Sequence, residues 1–313
     1  METPGYRQAA LGSVTRAVHA GLLLTVLMAL VLLAGRVSAQ PEVCVNDALD
    51  QKLCLASPAE RVVSLSPGAT ELLFSAGAGD RVVAVSAWSD YPPQAEAFPQ
   101  VGDSNRLDLE TIVALSPDLV VAWIDGNSRA QLEKLSAIGI NVFWLAPRRF
   151  EEIAQAVEQL ALLTGQPEVG RQRAANFREG LSELQTEYAA APPIRVFFQI
   201  WDQPLMTVNR EELISKAITL CGGVNVFADL PRLVPRISAE AVVVANPEAI
   251  VTSGEDSSDL SGLARWQQFP ELAAVKSNNL FIEPPSLLAR PTFRMLDGTR
   301  HLCETLERAR ATL

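Results

Sequence analysis

Histidine is almost missing from this sequence. His19 and His301 are the only two among 313 residues. Multi-histidine metal sites, and most catalysis that uses imidazole as acid or base, are therefore excluded at the outset. Positive charge is also scarce. Lys and Arg total 26 against 36 Asp and Glu, giving a formal charge of −10. A partner with a phosphate backbone would call for clustered basic residues, so nucleic acid is excluded as a ligand. No G-x-x-x-x-G-K-[ST] loop and no G-x-S-x-G elbow occurs. Gly77-x-Gly79 lacks the third glycine of a dinucleotide fingerprint and follows a helix pattern, so it reads as a turn. No carboxylate pair is marked by its spacing as an acid/base couple. His301, in the helical run RHLCETLER, reads as a helix-surface residue. The chain is expected to have no catalytic residue, no catalytic cofactor and no resident metal.

What is present begins with an address. Arg7 and Arg16 precede a continuous apolar run from Ala20 to Gly35, and Val37-Ser38-Ala39 supplies a small-x-small cleavage signal. Residues 1–39 are expected to be a cleaved secretory signal peptide that sends the protein to the periplasm. The apolar run is short for a membrane anchor, which needs about 20 residues. Removing Arg7, Arg16, Arg36 and Glu2 would take the formal charge from −10 to −12 and leave His301 as the single histidine.

Four cysteines, Cys44, Cys54, Cys221 and Cys303, follow the leader. An even count in an oxidising compartment implies two disulfides, and three pairings are possible. The expected pairing is Cys44–Cys54, stapling an N-terminal hairpin segment at 40–60, and Cys221–Cys303, tying the last helix to its lobe. Zinc is the rival reading, but the C-x₂-C spacing of a zinc site is absent.

From residue 61 onward, short β-branched runs alternate with helical patterns. Residues 61–65, 82–85, 119–123 and 142–145 read as strands, and 195–200 restarts the pattern. Apolar strands separated by helices predict an α/β fold with parallel sheets covered on both faces. Residues 168–190 read as one long helix, with Phe177, Leu181, Leu184 and Tyr188 on one face. The expected layout is an N-terminal α/β lobe at 61–165, an inter-lobe helix at 166–192 and a C-terminal α/β lobe at 193–313. An internal repeat supports two like lobes. Residues 109–123, LETIVALSPDLVVAW, align without gaps on 239–253, AEAVVVANPEAIVTS. Glu110 meets Glu240, Pro117 meets Pro247 and Asp118 meets Glu248.

Residues 61–94 (RVVSLSPGATELLFSAGAGDRVVAVSAWSDYPPQ), LETIVALSPDLVVAW, LCGGVNVF and ISAEAVVVANPEAIV resemble the substrate-binding proteins of cobalamin and ferric-siderophore ABC importers. The resemblance covers about residues 60–313. It implies two Rossmann-like lobes joined by a rigid helix, modest closure, a monomer, and a ligand held in the cleft. The implied ligand is cobalamin or a related corrinoid, with a ferric siderophore or haem as alternatives in the same superfamily. A secreted enzyme on a two-lobed scaffold is the reading from a different class. The resemblance also implies that Glu110 and Glu240 dock onto arginines of an inner-membrane permease dimer. Carried over position by position, the ligand site keeps Trp88, Trp123 and Arg290. It has Ser104, Met206 and Val234 where the pattern has aromatics, and Ser286 where it has aspartate. Trp201 stands near Met206 as a substitute wall, and Pro67 and Gly68 lie at a strand-to-helix turn where backbone amides could approach the ligand.

Overall fold

The structure, a computed structural model, describes residues 42–254 and 260–313. The expected signal segment lies outside the described residues. The described chain opens with the antiparallel hairpin β1 (Val43–Asn46) and β2 (Lys52–Leu55). Its register sets Cys44 directly opposite Cys54, and a disulfide joins them.

A first parallel sheet follows. Its elements are β3 (Val62–Ser64), α1 (Pro67–Ser75), β4 (Val82–Ala84), α2 (Leu109–Ala114), β5 (Leu119–Trp123), α3 (Arg129–Ala137) and β6 (Val142–Leu145). Strand order is β4-β3-β5-β6. Next come α4 (Phe150–Leu163) and the long α5 (Pro167–Glu187). The second sheet is built from β7 (Ile194–Gln199), α6 (Leu213–Leu220), β8 (Gly223–Asn225), α7 (Ala239–Ala245), β9 (Ala249–Ser253), α8 (Ala273–Lys276) and β10 (Leu280–Glu283). Its order, β8-β7-β9-β10, repeats that of the first. The short α9 (Pro285–Leu288) and the terminal α10 (Met295–Arg310) complete the chain. Among the described residues no helix is long and apolar enough to cross a membrane.

The repeat is one structural unit used twice. Asp118 Oδ2 accepts the backbone N–H groups of Glu60 and Arg61, each at 2.9 Å. Glu248 Oε2 accepts the N–H of Arg195 at 2.7 Å. The Arg61 guanidinium reaches back to the Leu115 carbonyl after α2, and the Arg195 guanidinium reaches the Ala245 carbonyl at the end of α7. Asn141 and Asn279 each donate a side-chain N–H to the carbonyl of the repeated acid, at 3.0 and 3.1 Å. The acid is therefore a clasp that sets the start of the first strand in each sheet.

α5 joins the two halves through close approaches made at two of its glycines. A Cβ on Gly170 would lie 2.3 Å from Ala161 of α4, and one on Gly180 would lie 2.5 Å from Leu296 of α10. Phe177 stacks on Phe293 with ring centroids 4.7 Å apart. Phe177, Leu184 and Tyr188 are buried, as the helical period requires, while Leu181 on the same face is half-buried against the core. One continuous apolar core runs from Val62 and Leu72, through Ala174 and Phe177, to Val196 and Leu302. The second disulfide, Cys221–Cys303, lies inside that core and links α10 to the end of α6. Trp144 and Trp266 are buried core residues.

Candidate ligand site at the carboxyl edges of the sheets

In a parallel sheet the loops that follow the strands gather at one edge, which is where α/β folds bind ligands. Pro67 and Gly68 follow β3, Trp88 follows β4, Trp123 ends β5, Trp201 follows β7, and Ser286 and Arg290 follow β10. The sequence candidates thus gather at the carboxyl edges of the two sheets.

Trp88 is 79% exposed and takes a left-handed backbone, φ 66°. A bulky residue adopts that conformation only where its surroundings over-determine it. On one side the determinant is a chain of buried hydroxyls. Ser64 Oγ lies 2.8 Å from Thr70 Oγ1, Thr70 Oγ1 lies 3.1 Å from Ser89 Oγ, and Ser89 Oγ lies 3.3 Å from Ser86 Oγ.

Trp123 is half-buried. Its backbone N–H donates to Asn127 Oδ1 at 2.7 Å, while Asn127 Nδ2 donates to the Leu65 carbonyl at 2.9 Å, so one buried amide fixes the exits of both β3 and β5. A Cβ on Gly68 would lie 3.9 Å from both Trp123 and Thr292, which places these three side by side. Ser66 caps α1 by accepting from Ala69 N, and Pro67 occupies the first turn. Pro67 therefore has no amide N–H to offer a ligand, which narrows the expected amide pair to Gly68.

The second sheet presents its own group. Trp201 is 62% exposed. Met206 N donates to Trp201 O at 2.9 Å and Ile200 N donates to Met206 O at 3.0 Å, closing a tight loop. Thr207 N donates to Pro235 O at 3.1 Å, which lays the segment bearing Val234 alongside. Trp201, Met206 and Val234 thus sit on adjoining strands of chain. Ser104 is exposed at the tip of a turn closed by Asp103, which accepts from Asn105 N and Arg106 N. Ala87 N donates to Gly102 O at 2.8 Å and sets that turn beside the Trp88 loop.

Arg290 is the hub between the two halves. Its Nη1 donates to Glu71 Oε1 at 2.9 Å and to Asp90 Oδ1 at 2.5 Å. Its Nη2 lies 3.3 Å from both Asp90 Oδ2 and the Trp88 carbonyl. Glu71, on α1, is only 2% exposed. Its other oxygen accepts from Thr292 Oγ1 at 2.8 Å, and Arg294 Nη1 approaches Oε1 at 3.3 Å. Arg294 also donates to Ser286 Oγ at 2.9 Å and covers the Tyr91 ring at 4.0 Å. The Arg290 hydrogen bond holds the Asp90 carboxyl below its ordinary range. Burial works against the Arg290 charge, but the Asp90 and Glu71 carboxylates outweigh it and raise the guanidinium pKa. Sequence reading found Arg290 and missed Glu71, Asp90, Thr292 and Arg294. One signal was available, because Glu71 is the lone charge in the helical run 67–76.

Arg148, after β6, pairs with Asp125, and its charge also acts on Glu212 at the start of α6. Burial raises the Glu212 carboxyl pKa against the Ile214 N–H that it accepts and the Arg148 and Lys216 charges. His301 stands apart from both groups and bonds through Nδ1 to Glu283, at the end of β10. The Glu42–Cys44–Cys54 grouping brings potential metal-ligand atoms within 4.8 Å, but both sulfurs are in the disulfide and neither is a thiolate.

Glu110 and Glu240 are exposed in the first turns of α2 and α7, capped by Asp108 and Ser238. Helices of a parallel sheet return from the carboxyl edge, so both glutamates stand at the same edge as the tryptophans, one on each half. The Glu240 backbone N–H and the Ser238 hydroxyl hold the Glu240 carboxyl below its ordinary range. Glu110 borders a cavity of about 570 Å³ lined by Gly102, Arg106, Asp108 and Gln131. Val243, one turn beyond Glu240, borders one of about 420 Å³ with Phe269 and Leu272.

Two like parallel sheets, bridged by one helix and carrying their exposed tryptophans on the carboxyl edges, define a two-lobed α/β protein built to hold something between its halves. The chain belongs to the periplasmic binding protein family, whose model matches residues 62–287. It is 39% identical over 250 residues to the vitamin B12-binding protein of Vibrio cholerae serotype O1, covering 80% of this chain and 90% of that one. The crystal structure of the periplasmic vitamin B12-binding protein BtuF of Vibrio cholerae superposes with a TM-score of 0.74 at 38% identity, over 81% of this chain and 98% of that one. The periplasmic heme-binding protein RhuT from Roseiflexus sp. RS-1, at 23% identity and TM-score 0.71 over 80% and 99% of the two chains, shares the fold.

Proposed function

We propose that this protein captures cobalamin or a related corrinoid between its lobes and delivers it to an inner-membrane ABC permease. The observation that carries this reading is the 39% identity to a vitamin B12-binding protein, spread over 80% of the chain. The chemistry is in keeping. A corrin is large, with partly apolar faces and a fringe of amides, and suits aromatic walls with a few polar anchors. Trp88, Trp123 and Trp201 supply such walls, with Gly68, Ser104, Met206, Val234, Ser286 and the Arg290 hub around them. The lobes, 61–165 and 193–313, close modestly about the connector at 166–192, because a packed helix hinges poorly.

Capture is non-covalent, and the protein acts as a carrier, with corrinoid as cargo and no catalytic cofactor. Export to the periplasm is supported by the apolar run Ala20–Gly35 with its Val37-Ser38-Ala39 signal, and by the pairing of every cysteine. Glu110 and Glu240, like residues on like lobes, would engage a pseudo-twofold basic partner. Their charge sets orientation and on-rate more than affinity. The protein would work as a monomer, one copy across one permease dimer.

Calorimetric titration with cyanocobalamin and cobinamide, against haem and a ferric hydroxamate, tests the reading. Saturable heat with a corrinoid supports it. No heat and no co-elution with either corrinoid at micromolar concentration overturns it, and heat with haem or the siderophore alone reassigns the cargo.

A further inference from the structure

We infer that Asp202 and Arg265 form a charge-neutral anchor on the second lobe, which recognises one propionamide of a corrinoid and rejects a carboxylate in its place. The inference rests on the proposed capture of a corrinoid and adds the pair that reads the ligand's amide fringe.

Both residues stand at the carboxyl edge of the second sheet. Asp202 follows Trp201 in the loop after β7, the loop that also carries Met206. Arg265 lies in the 3₁₀ segment Leu260–Gln268, between β9 and α8. Two bonds tie this segment to the end of β7. Gln199 Nε2 donates to the Gly262 carbonyl at 2.8 Å, and Trp266 Nε1 donates to Gln199 Oε1 at 2.9 Å. Gln199 and Trp266 are both buried. On the other side, the Trp201 indole N–H donates to the Gln203 carbonyl at 3.0 Å and steadies the loop that bears Asp202. The two backbones are thus fixed independently of the charges, so less ordering remains to be done on binding.

Arg265 Nε lies 2.9 Å from Asp202 Oδ1. Both atoms are shut off from water, yet neither makes an aligned hydrogen bond. The contact leaves Asp202 Oδ2 and both Arg265 Nη groups outside it, on side chains that keep 36% and 29% of their surface exposed. An ion pair whose inner atoms are dry and unsatisfied calls for a reason, and its outer atoms supply one. They set a carboxylate acceptor beside guanidinium donors. A primary amide is the complement of that arrangement, because its carbonyl accepts from Nη–H while its NH₂ donates to Oδ2. The charges of the pair cancel, so a neutral group suits it. A carboxylate brings no donor for Asp202 and places like charges together, which is discrimination by repulsion. The propionamides are the longer amide arms of a corrinoid and reach furthest from the ring. Haem carries propionates at its edge instead, so the pair favours the corrinoid between these two tetrapyrroles.

Calorimetric titration with cyanocobalamin and with its b-, d- and e-monocarboxylates, each with one propionamide hydrolysed, tests the anchor. The wild type should bind at least one of the three on the order of tenfold more weakly than cyanocobalamin, the scale of one lost hydrogen bond to a charged group. Asp202→Asn, which keeps the shape and removes the charge, should close that gap for the same isomer. Arg265→Met should weaken cyanocobalamin binding by a similar factor, while thermal unfolding shows both variants folded. If Arg265→Met does not fold, the gap in Asp202→Asn decides. A gap that persists in Asp202→Asn overturns the inference, as does equal wild-type binding of all four ligands or wild-type affinity in folded Arg265→Met. If the wild-type protein gives no heat with cyanocobalamin or cobinamide, the functional reading fails and the anchor falls with it.

Discussion

Asp118 and Glu248 make the same contact in the two sheets, each carboxylate receiving a backbone N–H at the start of the first strand of its sheet. Asp118 holds two such groups and Glu248 is shown holding one. Asp118→Ala should cost about 1–2 kcal/mol in urea unfolding, the scale of hydrogen bonds to a charged group at a partly solvated site. Glu248→Ala should cost less. Equal and negligible costs would show that the clasp is geometric only.

Gly170→Ala reverses the usual helix rule. Alanine is favoured over glycine in a helix interior by about 1 kcal/mol. Here the new methyl would lie 2.3 Å from Ala161 and 3.2 Å from the Val157 carbonyl. Overpacking of that kind costs about 1–3 kcal/mol, so the variant should be the less stable protein in chemical denaturation. A stabilised variant would mean that α4 and α5 part without cost.

The two disulfides should differ in worth. Cys221 and Cys303 are 82 positions apart, and Cys44 and Cys54 only 10. The chain-entropy model gives about 4.5 kcal/mol for the longer loop and about 3 for the shorter. The Cys221→Ala/Cys303→Ala protein should therefore lose more thermal stability than Cys44→Ala/Cys54→Ala. The reverse order would place the hairpin, not the terminal helix, at the centre of stability.

Glu283 predicts a pH dependence. Burial pushes its carboxyl pKa above the ordinary range, against the pull of His301 and Thr305. The folded chain then holds that proton more tightly than the unfolded chain. The resulting stability is full below the unfolded value, about 4.3, and declines as pH rises through the raised folded value. Glu283→Gln removes this slope, so its stability relative to wild type should rise with pH from about 4.3 upward. Urea midpoints at acidic and neutral pH check this, and a constant difference would refute it.

Charge reversal at both glutamates proposed to dock, Glu110→Lys with Glu240→Lys, should abolish corrinoid uptake in cells while calorimetric affinity for the ligand stays at the wild-type level. Both side chains are exposed, so stability should change by no more than about 0.5 kcal/mol. Normal uptake by the double variant would remove Glu110 and Glu240 from the docking surface.

Much of this protein was legible in its order of residues. The alternation of apolar strands and helices announced two parallel sheets, because a strand covered on both faces must be apolar on both. The repeat of 109–123 at 239–253 marked a unit that the fold uses twice, down to the strand order of each sheet. The period of Phe177, Leu184 and Tyr188 foretold the buried face of α5. The candidate tryptophans could be named because motif position fixes which strand each one follows.

Tertiary structure alone decided what those residues do together. Arg290 meets Asp90 and Glu71 across sequence separations of 200 and 219, distances at which no periodicity carries information. A buried carboxylate is tolerable only where partners satisfy it, and those partners come from the far end of the chain. The close approaches at Gly170 and Gly180 belong to the same class, since a missing side chain gains meaning only from the neighbour that fills its place. The sequence determined the elements and their facing surfaces through local patterning, while the hub that links the lobes and the pose of Trp88 came from packing.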